Sequence, residues 1–349
     1  MGGLTARPDR VVHELRTLMD QGIAGEHLGA AISAAIAPWI PHDALRLVGT
    51  SPATGLGQGS FSFWHRYERD LAAALLAHRH THGDPHRPSS LVRRQVPVAV
   101  AGADERTRRT FAACGASCEL RLLLRDRRGV WGLLGLVRAR DARPFTGEDL
   151  RRAALLGPAL MTALRRYVTA GPLAPTMAAL PAGVIVVGAD RAIRAVTPQA
   201  QAWLDRLRCG DRHGVHAWLA DMFVTALAMD AGEHVRGPDG ARPIICAPAA
   251  RYGRWLAVEG QALDEEGTGD VAVVIQSAAG GLMLPSFCDW YAITPRERRV
   301  LELLCRGAAP KQIARLLDLS AHTVNDHLKA VFRKTGAAGR DELMAAFTT

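Results

Sequence analysis

Apolar positions at helical spacing open the chain. Val11, Val12, Leu15, Leu18 and Met19 share one face over residues 11–19. Leu28, Ile32 and Ile36 mark a second helix that ends at Pro38 and Pro41. "ALRLVGTSP" then reads as a strand with a turn, followed by a helix within "YERDLAAALLAHRH" and a polar loop. The clearest strand signal is "CELRLLLRDRRGVWGLLGLVRAR". Its two apolar runs meet at Asp126–Gly129, which predicts a hairpin with glycine at its turn. Thr146 and Asp149 have capping-box spacing and open a long helix through Leu155, Leu160 and Leu164. Helices, an antiparallel hairpin and a closing helix make an α+β unit of about 150 residues.

"TAGPLAP" at 169–175 reads as a linker. "GVIVVGADRAIRAVTPQAQAWL" follows as strand, turn about Asp190, strand and helix, with Thr197 as cap and Pro198 at the first helical position. "RPIICAPA", "GRWLAVEGQAL" and "DVAVVIQSA" supply three further strands for a second antiparallel sheet. No internal repeat and no extended low-complexity tract is visible. Leu284, Phe287, Trp290 and Tyr291 in "AAGGLMLPSFCDWYA" (278–292) predict a packed connector.

The last segment is helical throughout. Thr294-Pro295-Arg296-Glu297 combines a cap, a proline suited to the first turn and a glutamate that reaches back. Val300, Leu301 and Leu304 form a buried stripe, and Gly307 ends the helix. Pro310 begins a short helix with Ile313, Ala314 and Leu317 facing inward. Asp318-Leu319-Ser320 turns the chain, and Ser320 caps a third helix. Two helices joined by so short a turn form a helix-turn-helix, whose second helix enters the major groove of DNA. On that helix Val324, Leu328, Val331 and Phe332 fall in one sector, at about 100° per residue. His322, Asn325, Asp326, Lys329 and Arg333 fall in another.

Charge sharpens this picture. The formal net charge is +9, but 40 of the 43 basic residues are arginine. That bias reads as GC-rich codon usage, so overall basicity is weak evidence for DNA. The placement of lysine says more: Lys311, Lys329 and Lys334 are the three in the chain, all in its last 39 residues. From Ile293 onward ten Lys/Arg face six Asp/Glu, a net +4. Six cysteines, at 114, 118, 209, 246, 288 and 305, include no C-x-x-C pair. Cys114 and Cys118 would share a face on a helix, as small core residues or as a redox pair. No apolar run reaches the roughly 20 residues a membrane span needs. "MGGLTARPDR" lacks a signal core and, with Ala6, the myristoylation pattern, so the expected location is cytoplasmic.

"ITPRERRVLELLCRG…IARLLDLSAHTVNDHLKAVFRKTG…R" resembles the DNA-binding domain of LuxR-type transcriptional regulators (the LuxR/FixJ family) over nearly all of 293–349. The resemblance implies a four-helix domain whose third helix reads DNA. It also implies a fourth helix, "RDELMAAF", that often joins a dimer through a stripe such as Leu343, Met344 and Phe347. Lys311, Thr323, Arg333 and Lys334 are expected at phosphates, and Asn325 and Lys329 at base edges. Asn325 stands where the family often has a basic residue. Asp326 is open between supporting its own helix and accepting a hydrogen bond from cytosine. Upstream, "GVWGLLGLVRARDARPFTGEDL" resembles the final hairpin and helix of GAF domains, and the run from Gly183 resembles the opening of a PAS domain. The expected division is a GAF-like sensor module (1–168), a linker (169–175), a PAS-like module (176–280), a connector (281–292) and the helix-turn-helix domain (293–349). The fold class is therefore α+β sensor modules followed by an all-α domain.

Residues 1–310 contain no lysine, which excludes a phospho-receiver module and a P-loop upstream. "GLGQGS" at 55–60 fails the dinucleotide fingerprint and reads as a turn. The two-domain autoinducer receptors have shorter ligand domains than this chain requires. The expected protein is a non-enzymatic, dimeric, sequence-specific DNA-binding regulator, with RNA polymerase as a further partner. A small-molecule ligand of the sensor modules stays unidentified, and the sequence requires no cofactor. Two alternatives stay open. One is an adaptor with a degenerate helix-turn-helix. The other is a metal-dependent enzyme using His78, His80, His82 and His86 as ligands for zinc or, further off, a haem.

Overall fold

The first apolar stripe folds as α1 (Pro8–Asp20) and the second as α2 (Gly25–Ile36), burying Leu15, Leu28, Ile32 and Ile36. The chain continues through β1 (Ala44–Gly49), β2 (Phe61–His65), α3 (Arg69–His78), α4 (Pro88–Leu91), β3 (Val98–Ala101) and α5 (Glu105–Ala113). The predicted hairpin is β4 (Ala116–Asp126) and β5 (Gly129–Ala139). α6 (Gly147–Thr169) closes this part, with the Thr146–Asp149 capping box formed as expected. Next come β6 (Gly183–Val187), β7 (Ile193–Val196), α7 (Pro198–Cys209) and α8 (Trp218–Arg236). β8 (Ile244–Ala247), α9 (Ala249–Tyr252), β9 (Leu256–Ala262), β10 (Val271–Ser277) and α10 (Gly280–Trp290) lead to four C-terminal helices. This computed structural model describes residues 8–20, 25–55, 59–78, 88–102, 104–209, 218–237 and 243–347. His80, His82 and His86 lie outside the described residues, as does the side chain of His78 and the middle of the "GLGQGS" turn.

Among the described residues the strands form two antiparallel five-stranded sheets, ordered β2-β1-β5-β4-β3 and β7-β6-β10-β9-β8. Each therefore runs second, first, fifth, fourth, third in local order. The repeat is one of topology: no repeat of sequence announces it.

Strand β4 is buried on both faces. Cys118, Leu120, Leu122 and Leu124 join the apolar cluster under α1, α2 and α6. The alternate positions turn the other way, as the period of two demands, and carry Glu119 and Arg121 into the opposite layer. There Glu119 accepts hydrogen bonds from Arg46 Nε at 2.7 Å, Arg121 Nε at 2.6 Å and the Tyr67 hydroxyl at 3.2 Å. Gly135, on the neighbouring strand, makes room for this carboxylate: a Cβ there would stand 2.2 Å from Glu119 Oε1. Cys114 follows α5 and Cys118 lies within β4, so the two thiols do not share a helix face as the spacing suggested.

The second sheet packs Ile185, Val187, Val273 and Ile275 against α7 and α8, with Trp203 fully buried and its indole N–H donating to the Pro181 carbonyl at 2.9 Å. Its other side brings Cys246, Trp255 and Ala257 into the first apolar cluster, beside α10. Helix α10 is the predicted packed connector. Trp290 meets the Trp131 ring at 5.1 Å and Phe61 at 5.7 Å, while Phe287 stacks on Tyr291 at 4.3 Å. Ser286 and Ser51 share a hydrogen bond of 2.9 Å, and Asp289 accepts from the Ala53 backbone N–H at 2.9 Å and from Arg128 at 3.2 Å.

The Glu119 cluster makes a stability prediction. Burial works to raise this carboxyl, but the two guanidinium groups outweigh it and push it down to about 2, below the ordinary 4.5. A lowered folded-state value means stability that is present above about 4.5 and fades as pH falls towards about 2. Glu119→Gln should cost about 3–5 kcal/mol, because Arg46 and Arg121 would stay buried without their counter-charge. Chemical denaturation at neutral pH measures this, and the difference from wild type should shrink as acid protonates Glu119.

Candidate nucleic-acid interface

The C-terminal helices are α11 (Pro295–Cys305), α12 (Pro310–Leu317), α13 (Ala321–Thr335) and α14 (Arg340–Ala345). Each start and stop has a local cause. Glu297 Oε2 accepts the Thr294 backbone N–H at 2.7 Å, and the Thr294 hydroxyl accepts the Glu297 N–H at 3.3 Å, completing the expected box. Gln312 accepts from the Ala309 N–H at 2.9 Å and opens α12. Asp318 takes φ 54°, so α12 stops and the chain reverses within three residues. Ser320 Oγ then accepts the Thr323 N–H at 3.0 Å as the cap of α13. Gly336, at φ 77°, ends that helix.

Helix α13 is split lengthwise. Val324, Leu328 and Val331 are buried and Phe332 is half-buried, as the periodicity predicted, and Thr335 extends the buried face. His322, Asn325, Asp326, Lys329 and Arg333 are all exposed. Thr323 is half-buried, with its hydroxyl 2.9 Å from that of Ser320. Lys311 is exposed at the start of α12, and so is Arg315 one turn on, a cation the sequence reading did not single out.

Asp326 sits in this polar stripe between two basic partners on its own helix. His322 Nε2 lies 3.4 Å from one carboxylate oxygen and Lys329 Nζ lies 3.8 Å from the other. All three side chains are more than half exposed, so these pairs are weak and screened by salt.

Lys334 occupies a different place from the other cations. Its ammonium donates to Glu297 Oε2 at 2.6 Å and to the Ala292 carbonyl at 2.9 Å. Five positions beyond Lys329, it has rotated about 140° around the helix, out of the polar stripe and towards α11. Burial works to raise the Glu297 carboxyl, but the Lys334 ammonium and the Thr294 groups hold it below the usual carboxylate range. One carboxylate thus caps α11 and ties the far end of α13 to it. Lys334 was expected at phosphate, and its ammonium is engaged inside the domain. Nothing in the sequence pairs residues 37 apart, which is why the contact was missed.

The stripe on α14 is also engaged within the chain. Leu343 and Phe347 are buried, and the Phe347 ring meets Phe287 of α10 at 4.9 Å.

Lys334→Ala should lower stability by about 1–3 kcal/mol, the cost of leaving a buried carboxylate short of a partner. Thermal denaturation of the full chain measures the loss. An unchanged melting temperature, together with weaker DNA binding, would return Lys334 to the phosphate set.

Comparison with known proteins agrees with this geometry. Residues 292–347 match the family described as "Bacterial regulatory proteins, luxR family". Over 53 residues the chain is 42% identical to the monoamine regulon transcriptional regulator of Klebsiella aerogenes, covering 15% of this chain and 23% of that protein. Over 55 residues it is 42% identical to a putative HTH-type transcriptional regulator of Mycobacterium bovis, covering 16% of this chain and 6% of that protein. A putative HTH-type regulator of Mycobacterium tuberculosis matches to the same extent. The chain spans less than a quarter of the length of these relatives. The four C-terminal helices are a luxR-family helix-turn-helix domain.

Proposed function

We propose that this protein is a sequence-specific DNA-binding transcriptional regulator and not an enzyme, acting in the cytoplasm. The observation that carries the reading is the exposed stripe of α13. His322, Asn325, Asp326, Lys329 and Arg333 project opposite a buried apolar face, in a domain of the luxR family. With α13 in the major groove, Asn325 is suited to adenine N6/N7 and Lys329 to guanine O6/N7. Arg333, Lys311, Thr323 and the backbone N–H groups at the start of α13 would meet phosphates, with Arg315 as an addition from α12. Asp326, held between His322 and Lys329, supports its own helix and remains free to accept from cytosine N4. Among the described residues no helix is long and apolar enough to cross a membrane.

The upstream region would modulate this activity, as GAF-like and PAS-like modules divided near residues 169–175. Two antiparallel sheets with covering helices support that reading. A homodimer on two half-sites about one helical turn apart fits the regulator role, with RNA polymerase as a further partner. Because Leu343 and Phe347 are engaged within the chain, a dimer in this conformation would use a surface other than the α14 stripe.

Binding-site selection with purified protein, followed by titration at several salt concentrations, tests the proposal. Specific affinity should fall with log salt by about 0.9 per phosphate contacted, and Arg333→Ala should reduce that slope by about 1. Lys329→Ala should weaken specific binding by about 1–3 kcal/mol and relax one base position. Asp326→Asn should alter the selected sequence if the carboxylate reads a base, and should change only stability, by a few tenths of a kcal/mol, if its role is local. No DNA affinity even at low salt would replace this reading with that of an adaptor.

A further inference from the structure

The second sheet and its helices do not close completely. An apolar cavity of about 80 Å³ remains among Ile185, Phe223, Val224, Ile245, Leu256 and Ile275. One water needs only about 10–15 Å³ on this scale, so the space suits a small organic molecule better than a single solvent molecule. The first sheet supplies its remaining wall, through Gly59, Ser60, Phe61 and Ser62 at the start of β2. The cavity is therefore shared between the two halves of the upstream region.

Four polar side chains interrupt the apolar lining, Ser60, Ser62, Arg251 and Tyr252, and of these Ser62 already accepts from the Trp64 indole N–H at 2.6 Å. Ser60 is 5% exposed, and its hydroxyl oxygen is buried without a hydrogen-bond partner among the described residues. Its backbone N–H is already used, donating to the Gly49 carbonyl at 2.6 Å, so the segment is fixed while the hydroxyl is not. Arg251, from α9, also lines the space. Its neighbours are the phenols of Tyr167 and Tyr252, and its guanidinium carbon lies 6.0 Å from the Tyr252 ring centre. Among the described residues Arg251 makes no ion pair with a carboxylate. A largely enclosed guanidinium beside phenols, and an idle hydroxyl, at the edge of an apolar cavity form a receptor for one anionic group on an apolar body.

We propose that this cavity binds a small apolar carboxylate, with its carboxylate at Arg251 and Ser60 and its hydrocarbon part against the second sheet. The proposal rests on the reading that the upstream region modulates the regulator, and it supplies the chemical class of the signal. Its route to the DNA-binding domain is short. Phe61 lines the cavity, stacks on Tyr167 at 5.3 Å and meets Trp290 of α10 at 5.7 Å. α10 runs into α11 through four residues.

Fluorine NMR of 4-fluorobenzoate with the full chain tests the site without involving DNA. The signal should broaden on adding protein and sharpen again when benzoate or hexanoate competes. Arg251→Gln should weaken binding about tenfold or more, the loss of one charge-assisted contact. Neutral 4-fluorotoluene should bind more weakly than the carboxylate. Ala220→Leu, which fills the cavity from a helical position where leucine is well tolerated, should abolish binding and decides the matter if Arg251→Gln does not fold. No broadening, equal binding of 4-fluorotoluene, or undiminished binding by the Ala220→Leu protein overturns the proposal. A parallel DNA titration without probe separates the two readings. Lost DNA binding would count against the regulator alone, and lost probe binding against this site alone.

Discussion

The packing of α10 is the constraint on which the rest of the molecule depends. Its Trp290 is completely buried between Trp131 and Phe61, and its Phe287 touches Trp255, Tyr291 and Phe347. Apart from Tyr291, which caps α10, those partners lie on the first sheet, at the start of β9 in the second and just beyond α14. Each favourable aromatic pair adds about 0.5–1.5 kcal/mol beyond area burial. Polar contacts then fix orientation: Asp289 reaches Arg128 and the Ala53 backbone, and Ser286 reaches Ser51. One continuous apolar cluster runs from α1 through α10 to α14 as a result. The luxR-family helices are joined to the upstream region by a packed core, not by a tether. Ala292 reinforces the joint: it holds φ 53°, which costs a non-glycine residue about 1–2 kcal/mol, and its carbonyl accepts from Lys334.

This joint gives the luxR-family domain two differently committed surfaces. One side of α13 and the apolar stripe of α14 are consumed by packing. The opposite side of α13 is left to solvent, with cations, an amide and one internally compensated carboxylate. The charge of the exposed face is therefore set by which cations point outward. Lys329 and Arg333 are available, whereas Lys334 neutralises Glu297 and adds little to the field outside. The buried Glu119 cluster in the first sheet shows the same economy, with charges spent on the interior by Arg46 and Arg121.

Much of this was legible without coordinates, for local reasons. The Thr294 and Thr146 boxes, the Ser320 cap, the Asp126–Gly129 hairpin and the two faces of α13 each depend on residues within one turn of helix or one strand pair. The Asp326 pairs with His322 and Lys329 were equally readable, since residues three and four apart meet on any helix. Other features were not. α8 went unrecognised because its apolar residues surround the helix instead of marking one stripe: it packs on the second sheet with Leu227 and Ala231 while Met222 and Phe223 reach the first sheet's outer layer. Cys114 and Cys118 looked like a helical pair from spacing alone, but α5 ends at Ala113 and Gly115, at φ 72°, turns the chain into β4.

The sequence by itself determined the helix-turn-helix, the exposed polar face of α13 and the alternation that makes two antiparallel sheets, because caps, turns and periodicity act over a few residues. Only the tertiary structure decided that both sheets share one strand order, that Lys334 belongs to Glu297, and that Phe347, just beyond α14, packs on α10. It alone also brought Ser60 and Arg251 to one cavity, though they lie far apart in the chain. Those outcomes depend on which surfaces meet after the elements form, and burial chooses partners by shape and charge across the whole chain.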